Sequence, residues 1–188
     1  MKKYFHRGFL IVAMLFVAVT YTGAYFSDSV SVSGNTFTAG TWDAGPDVLI
    51  NEVYSHASGE EVEWIELVNL TSVSLSLSGY TIEDNNASPK DLSTYTIPAN
   101  GYLVLHQGAG NDFSFGLNDP GDILILKEAS VMVDQVAYGN YDDGNIADNA
   151  PVPATGESVT RMPDGADTDV DNVDFQIDAT PTKGGPNG

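Results

Sequence analysis

The chain has 188 residues, the size of one domain with appendages. Asp and Glu number 26 against 7 Lys plus Arg, and the formal net charge of −19 repels phosphate backbones and anionic lipid surfaces. We therefore expect neither nucleic-acid binding nor docking of the folded domain on a membrane. The absence of cysteine excludes thiol catalysis, a cysteine-ligated zinc and disulfides. An apolar fraction of 42% is enough to bury a core, so the sequence predicts a folded, very acidic protein.

The first 24 residues have the composition of a signal peptide. Lys2, Lys3 and Arg7 precede the uninterrupted apolar run of residues 8–19, and small or weakly polar residues follow as far as Ala24. The apolar run is shorter than the roughly 20 residues that a bilayer-spanning helix needs, so cleavage is favoured over an uncleaved anchor. The sequence predicts a mature chain that is secreted or displayed at the cell surface and meets the membrane only through the signal before cleavage.

Residues 25–46 are predicted to form an extended segment or linker. Valine alternates with serine over residues 29–33, Gly34-Asn35 marks a turn, and an extended pattern resumes up to residue 38. The runs FSD at residues 26–28 and NTFTAGT at residues 35–41 resemble the junction of camelysin-like and biofilm-fibre proteins, which are exported through a dedicated signal peptidase. The resemblance implies export to the cell surface or matrix and does not imply protease activity.

This segment is a candidate interaction element. We expect residues 29–38 to add a strand to the edge of another subunit or of another surface protein, because an edge strand has unpaired main-chain groups. Phe26, Phe37 and Trp42 would then be its apolar anchors. Folding back onto its own domain and a linker without structure are the alternatives.

From residue 47 onward the chain is a succession of short strand-like runs. Each is rich in aliphatic and aromatic residues, and clusters of Gly, Asn, Asp, Ser or Pro separate them. The predicted strands are residues 47–55, 62–69, 72–78, 80–84, 101–107, 122–128 and 131–138. The clearest alternation places Val73, Leu75 and Leu77 on one face. Seven short strands without an amphipathic helix predict an all-β fold, an antiparallel β-sandwich of immunoglobulin-like size.

Most of residues 47–188 resemble the lamin tail domain. The resemblance lies in residues 49–53 (LINEV), 63–69 (EWIELVN), 77–84 (LSGYTIED), 97–105 (IPANGYLVL), 121–126 (GDILIL), 157–161 (ESVTR), 171–175 (DNVDF) and 181–185 (PTKGG). It implies an immunoglobulin-like sandwich, in agreement with the strand count. It also implies a binding or anchoring module.

Three glutamates in neighbouring predicted strands are candidates for acid–base chemistry. Glu63 and Glu66 fall on opposite faces of one strand and cannot converge, so we interpret them, with Glu52, as solvated or backbone-bonded carboxylates at a sheet edge. His56 is expected to be exposed in a turn and His106 to end a strand, and neither belongs to a zinc-protease or activated-serine motif. We therefore predict no catalytic residues. Two sequons, at Asn69 and Asn86, match the glycosylation pattern.

The last fifty residues contain a pattern similar to a calcium loop. Asp167, Asp169 and Asp171 alternate, and Asp178 occupies the twelfth position, as in a loop whose first, third, fifth and last residues bind calcium. The sixth position is Asn172 instead of glycine, and asparagine can take the left-handed conformation required there. These four aspartates are the predicted calcium ligands, and a solvated acidic loop is the alternative. No other cofactor is predicted.

Together these observations predict a non-catalytic module, lamin-tail-like over residues 47–188, that binds other surface or matrix proteins or further copies of itself. An accessory domain or a weak calcium-dependent hydrolase acting outside the cell is the alternative.

Overall fold

The computed structural model describes residues 45–85, 88–108, 110 and 112–188. The predicted signal peptide, and the segment that follows it as far as residue 44, lie outside these residues. The regular secondary structure of the described part is almost entirely β, with one short 3₁₀ turn and one four-residue helix, α1 (Asp171–Asp174). The strands are β1 (Val48–Tyr54), β2 (Trp64–Asn69), β3 (Leu75–Ser76), β4 (Tyr80–Asp84), β5 (Lys90–Asp91), β6 (Thr96–Ile97), β7 (Tyr102–His106), β8 (Gly121–Glu128), β9 (Val131–Gly139), β10 (Ser158–Arg161) and β11 (Phe175–Asp178).

Two antiparallel sheets face each other. One has five strands in the order β11-β10-β1-β2-β7, the other has four in the order β5-β4-β8-β9, and β3 and β6 form a separate ribbon. Aliphatic side chains from the facing sides of both sheets make one core, for example Ile50 and Ile65 from the first and Leu124 and Val136 from the second. This is the sandwich arrangement, in which alternate residues of each strand point inward. The prediction of an all-β, immunoglobulin-like antiparallel sandwich is confirmed.

All seven predicted strands contain an observed strand, but the alternation at residues 72–78 was misread. Only Leu75–Ser76 pairs there, with β6. Leu77 is fully buried, whereas Val73 is 64% exposed, so the three aliphatic residues do not share a buried face. Val73 instead lies in a loop that Asn69 holds, because the Asn69 side chain donates to the Val73 carbonyl. Local alternation could not reveal that constraint.

The short strands β5 and β6 and the paired strands β10 and β11 were not among the predicted strands. The last two extend the five-stranded sheet beside β1, with Val159 opposite Val53 and also opposite Ile177. As a result β1 lies in the centre of that sheet. Among the described residues, no helix is long and apolar enough to cross a membrane.

Candidate functional site: buried carboxylates and an acidic cleft

Glu52 and Glu66 lie directly opposite each other on β1 and β2, and both are fully buried. The interpretation of these glutamates as solvated carboxylates at a sheet edge was therefore wrong, because β10 makes β1 an interior strand and a segment near the end of the chain covers both side chains. Burial raises the pKa of Glu66 to about 7 and also raises the pKa of Glu52. Two neighbouring carboxyl groups thus resist ionisation on the side of the sheet that faces away from the sandwich core.

Residues 182–187, which we call the closing segment, cover this pair. The amide of Gly184 donates to Glu66 Oε2 at 2.6 Å, and the amide of Thr182 donates to Glu52 Oε1 at 3.1 Å. The Lys183 ammonium lies 5.5 Å from the centre of the Trp64 ring, and Trp64 stacks on Tyr54. The predicted backbone bonding of the glutamates is correct, but the donors come from a segment more than a hundred residues away in sequence.

A second set of contacts holds the far end of the closing segment. Asn187 donates through its side chain to the carbonyls of Asn51 and Arg161, and its amide donates to Asp164. Asp164 also accepts from the Tyr102 hydroxyl and from the Asn51 side chain. The closing segment is therefore fixed at both ends by polar groups of the five-stranded sheet and of the loop that follows β10.

Arg161 is the main buried cation of the described part and lies between the two sheets at the end of β10. Its guanidinium donates to both oxygens of Asp134 at 3.1 Å and to the Ile50 carbonyl at 3.0 Å. Asp134 in turn accepts from the Ile50 amide at 2.7 Å. The pair therefore satisfies both main-chain groups of Ile50. Burial raises the pKa of Asp134 to about 6, while the charge of Arg161 opposes that rise.

Other groups complete the environment of Arg161. Asp167 and Asp174 lie 3.3 Å and 3.5 Å from its guanidinium, and the Phe175 ring lies 4.5 Å from its central carbon. Sequence reasoning missed this site. A signal for it existed in β9, where Asp134 interrupts an apolar run and therefore needs a buried partner. A weaker signal was Arg161, one of the few cations of the chain, in the resemblance to the lamin tail domain at residues 157–161.

Three of the four predicted calcium ligands line one acidic cleft of about 100 Å³. Its lining residues are Met132, Val133, Asp134, Gln135, Asp143, Asp148, Asp167, Asp169 and Asp171. The fourth predicted ligand, Asp178, lies elsewhere, opposite Ser158 at the end of β11. Within the described ranges, no three or more histidine or acidic side chains are placed so that they could hold a metal ion together. The carboxylates therefore meet in one cleft without forming a coordination set as they stand.

The aspartates of this cleft also serve the fold. Asp171 accepts from the Ala137 amide at 2.8 Å, and burial raises the pKa of Asp171 to about 7. Asp167 accepts from the Asp169 amide, and Asp169 takes the left-handed conformation, with φ +58°. A calcium loop would need the left-handed conformation at Asn172, which asparagine can adopt, but Asn172 lies in the helical turn α1.

Each histidine of the described part lies beside an aspartate. His56 Nε2 lies 2.5 Å from Asp119, and His106 Nδ1 lies 3.4 Å from Asp112. His56 is partly buried by that contact and is less exposed than expected. Glu63 accepts from the Leu117 amide at 2.8 Å, and burial raises the pKa of Glu63.

The remaining predicted features divide between the described and undescribed parts of the chain. Phe26, Phe37 and Trp42 lie outside the described residues, as does Asn86 of the second sequon. Asn69 of the first sequon is buried, and its side-chain amide donates to three carbonyls, those of Val73, Ile97 and Pro98. A glycan cannot occupy that nitrogen in the folded domain. Trp64 is a buried residue, as expected.

A family model with the description Lamin Tail Domain matches residues 42–140, slightly more than half of the chain. The matched region includes β1 to β9, among them Glu52, Glu66 and Asp134, and ends before Arg161 and the closing segment. A comparison with curated proteins gave no match.

Proposed function

Because the chain belongs to the lamin tail domain family, we propose that it is an exported, non-catalytic immunoglobulin-like module that acts through contacts with other surface or matrix proteins. The observation that carries the proposal is that the fold itself uses the buried carboxylates. Glu52 and Glu66 accept from the closing segment, and Asp134 accepts from Ile50 and Arg161. Carboxylates used in this way support a role in binding over a role in chemistry.

Export and surface location rest on the sequence pattern of residues 1–24 and on the resemblance of residues 26–41 to the junction of biofilm-fibre proteins. The net charge of −19 favours solubility outside the cell and disfavours nucleic acid as a binding partner. Intact mass of the native protein tests the first step. We expect a mature chain that begins close to Tyr25, whereas a retained Lys2 would indicate a membrane-anchored protein.

The partner contact proposed here is strand addition by residues 29–38 to the outer edge of β7 in a neighbouring molecule. Along β7 and the residues next to it, the main-chain N–H and C=O groups of odd-numbered residues point towards β2. The Gln107 amide donates to the Glu63 carbonyl, and the Gly101 carbonyl accepts from the Asn69 amide. The main-chain groups of Tyr102 and Val104 therefore point outward by alternation. Among the described residues, only Asp112 and Phe113 bind the main chain of β7 on that side. Their amides donate to the His106 carbonyl, and the His106 amide donates to the Asp112 carboxylate.

The strand β9, at an edge of the four-stranded sheet, is less suited than β7 to accept an added strand. Its register with β8 shifts near Val133, where a bulge interrupts regular pairing, and acidic residues surround it. Its distal half is already covered, because Ala150 pairs with the main chain of Ala137 and Gly139. Bulges and charges of this kind protect natural sheet edges from further strands.

Light scattering of the mature protein at rising salt tests strand addition. We expect association that increases as salt screens the negative charge, and its loss when residues 25–41 are deleted or residues 29–38 are scrambled. Val104→Pro removes an outward-facing amide at an edge position that tolerates proline, so this variant should fold and remain monomeric. Association that survives both the scrambled segment and Val104→Pro would refute this contact. A strictly monomeric protein that captures no envelope protein would refute binding through this segment.

Calcium binding by Asp167, Asp169 and Asp171 is a second candidate, favoured by their convergence on one cleft with three further aspartates. Side chains would have to move to complete a coordination set, and Asp178 would not belong to it. With calcium at about ten times its dissociation constant, the free energy of unfolding should rise by about 1.4 kcal/mol. Thermal unfolding in calcium and in chelator should show that gain in the wild type and not in Asp169→Ala. An equal gain in both proteins would mean charge screening alone. The same preparation, assayed for calcium-dependent hydrolysis, tests the enzymatic alternative.

A further inference from the structure

The face of the five-stranded sheet that carries Glu52 and Glu66 contains an excess of negative charge. Asp178 lies close enough to Glu52, and Asp164 close enough to Glu66, that each raises the pKa of its neighbour. The Tyr102 hydroxyl donates to Asp164 from β7. His106, on the same side of β7, is paired with Asp112.

Positive charge on this face is scarce. Lys183 lies over the Trp64 ring, and no ion pair joins it to a carboxylate within the described residues. Arg161 contributes only its main-chain carbonyl here, because its guanidinium is bound on the other side of the sheet. If Glu52 and Glu66 both ionise, two buried charges therefore face each other without a cation between them.

The closing segment is what separates these carboxylates from water. Its two amide donors and the Thr182 hydroxyl bind the glutamate oxygens directly. The segment has no regular secondary structure, and its internal hydrogen bonds are the Gly185 amide to the Thr182 carbonyl and the Thr182 hydroxyl to the Asn187 side chain. It can therefore leave the sheet by breaking six hydrogen bonds and the Lys183–Trp64 contact, without unpairing any strand.

We propose that residues 182–187 act as a pH-sensitive strap, which lies closed over Glu52 and Glu66 when these are protonated and opens when they ionise. Opening gives both carboxylates access to water and exposes the Trp64 ring beside them. Two effects oppose each other in the closed state: burial favours the protonated glutamates, whereas the amide donors favour the ionised forms. Burial is the larger effect for both residues. Opening therefore releases protons, and the strap closes more tightly as the pH falls.

Trypsin cleavage between Lys183 and Gly184 tests the strap. The amides on both sides of Lys183, those of Thr182 and Gly184, are hydrogen-bonded to the sheet, and a protease must free this main chain before it can cleave it. Cleavage of the folded protein therefore reports opening. The rate is divided at each pH by that of a free peptide of residues 178–188, which removes the pH dependence of the enzyme. For one proton released per opening, the relative rate should rise about tenfold per pH unit between about pH 5 and 7 and then level off.

The matched variants are Glu66→Gln, which cannot ionise, and Glu60→Gln, which changes an exposed carboxylate. Glu66→Gln should reduce the slope markedly, whereas Glu60→Gln should leave it unchanged. A flat relative rate in the wild type, or an unchanged slope in Glu66→Gln, would overturn the proposal.

Hydrogen exchange of the wild type keeps the proposal testable if Glu66→Gln does not fold. The free energy of opening at the Gly184 amide should fall between pH 5 and 7 and should lie well below that at Leu124, in the opposite sheet, whose exchange follows global unfolding. Equal opening free energies at both amides at every pH would mean that Gly184 exchanges only by global unfolding and would refute a local strap.

Discussion

Replacing Arg161 by methionine should destabilise the domain more than any other single loss of charge in its described part. Methionine keeps much of the side-chain length but removes every donor. Asp134 and Asp174 would remain buried without their cation, and the Ile50 carbonyl would lose its partner. Removing one partner of a buried ion pair costs about 3–5 kcal/mol, because the other charge stays desolvated.

The cost should depend on pH in a defined direction. The pKa of Asp134 is already raised to about 6 with Arg161 present, and loss of the positive charge raises it further. A group whose pKa is raised on folding contributes stability that is lost as the pH rises through the folded value. Arg161→Met should therefore lose the full amount at pH 7.5 and clearly less at pH 5, where Asp134 is protonated.

Urea unfolding, followed by the fluorescence of buried Trp64, measures this difference. We expect a fall of about 3–5 kcal/mol at pH 7.5, equivalent to about 10–15 °C in melting temperature for a domain of this size. Lys90→Met serves as the control, since Lys90 lies over the partly exposed Tyr95 ring and should contribute little. A loss below about 1 kcal/mol, or an equal loss at both pH values, would refute this account of Arg161.

Three further outcomes follow from the structure. The free energy of unfolding of the wild type should rise by at least about 2 kcal/mol between pH 7.5 and 5, because the pKa values of Glu66 and Asp171 are raised to about 7; a stability maximum at pH 7.5 in urea unfolding would contradict this. Gly139→Ala should cost about 3 kcal/mol or more, since its φ is +67° and a Cβ atom would lie 2.0 Å from the Pro120 carbonyl oxygen, whereas Gly116→Ala meets no atom within 4 Å and should be neutral. Asn69→Asp should cost about 2–3 kcal/mol in the same assay, because a carboxylate would replace the donor that faces three carbonyls.

The positions of the strands could be predicted from the sequence because the strands supply the aliphatic side chains of the core. Ile50, Ile65 and Leu124 lie in short runs whose composition favours a strand, and turn residues separate these runs. Trp64, between aliphatic neighbours, was expected to be buried for the same reason and is buried. The sandwich could therefore be predicted from the composition of each strand and from the turn residues between strands.

The burial of the glutamates could not be predicted from the composition of their own strands. Whether Glu52 is exposed depends on which strand lies beside β1, and β10 follows it by about a hundred residues. Its cover, the closing segment, lies further still along the chain. The contact between the Asp171 carboxylate and the Ala137 amide could not be predicted for a related reason, since the two residues are 34 positions apart in sequence. In both cases, contacts with residues distant in sequence determine the surroundings of the carboxylate.

A scarcity of positive charge connects the buried sites. After residue 45 the chain has four cations, Lys90, Lys127, Arg161 and Lys183, and Arg161 is the fully buried one. Its charge is shared among Asp134, Asp167 and Asp174. Glu52, Glu66 and Asp171 instead accept from amide or hydroxyl donors. Amide donors compensate for only part of the desolvation of Glu66 and Asp171, as their raised pKa values indicate. The same acidity that keeps the surface soluble therefore makes the stability of the fold depend on proton uptake, and mildly acidic surroundings should favour the closed, most stable form.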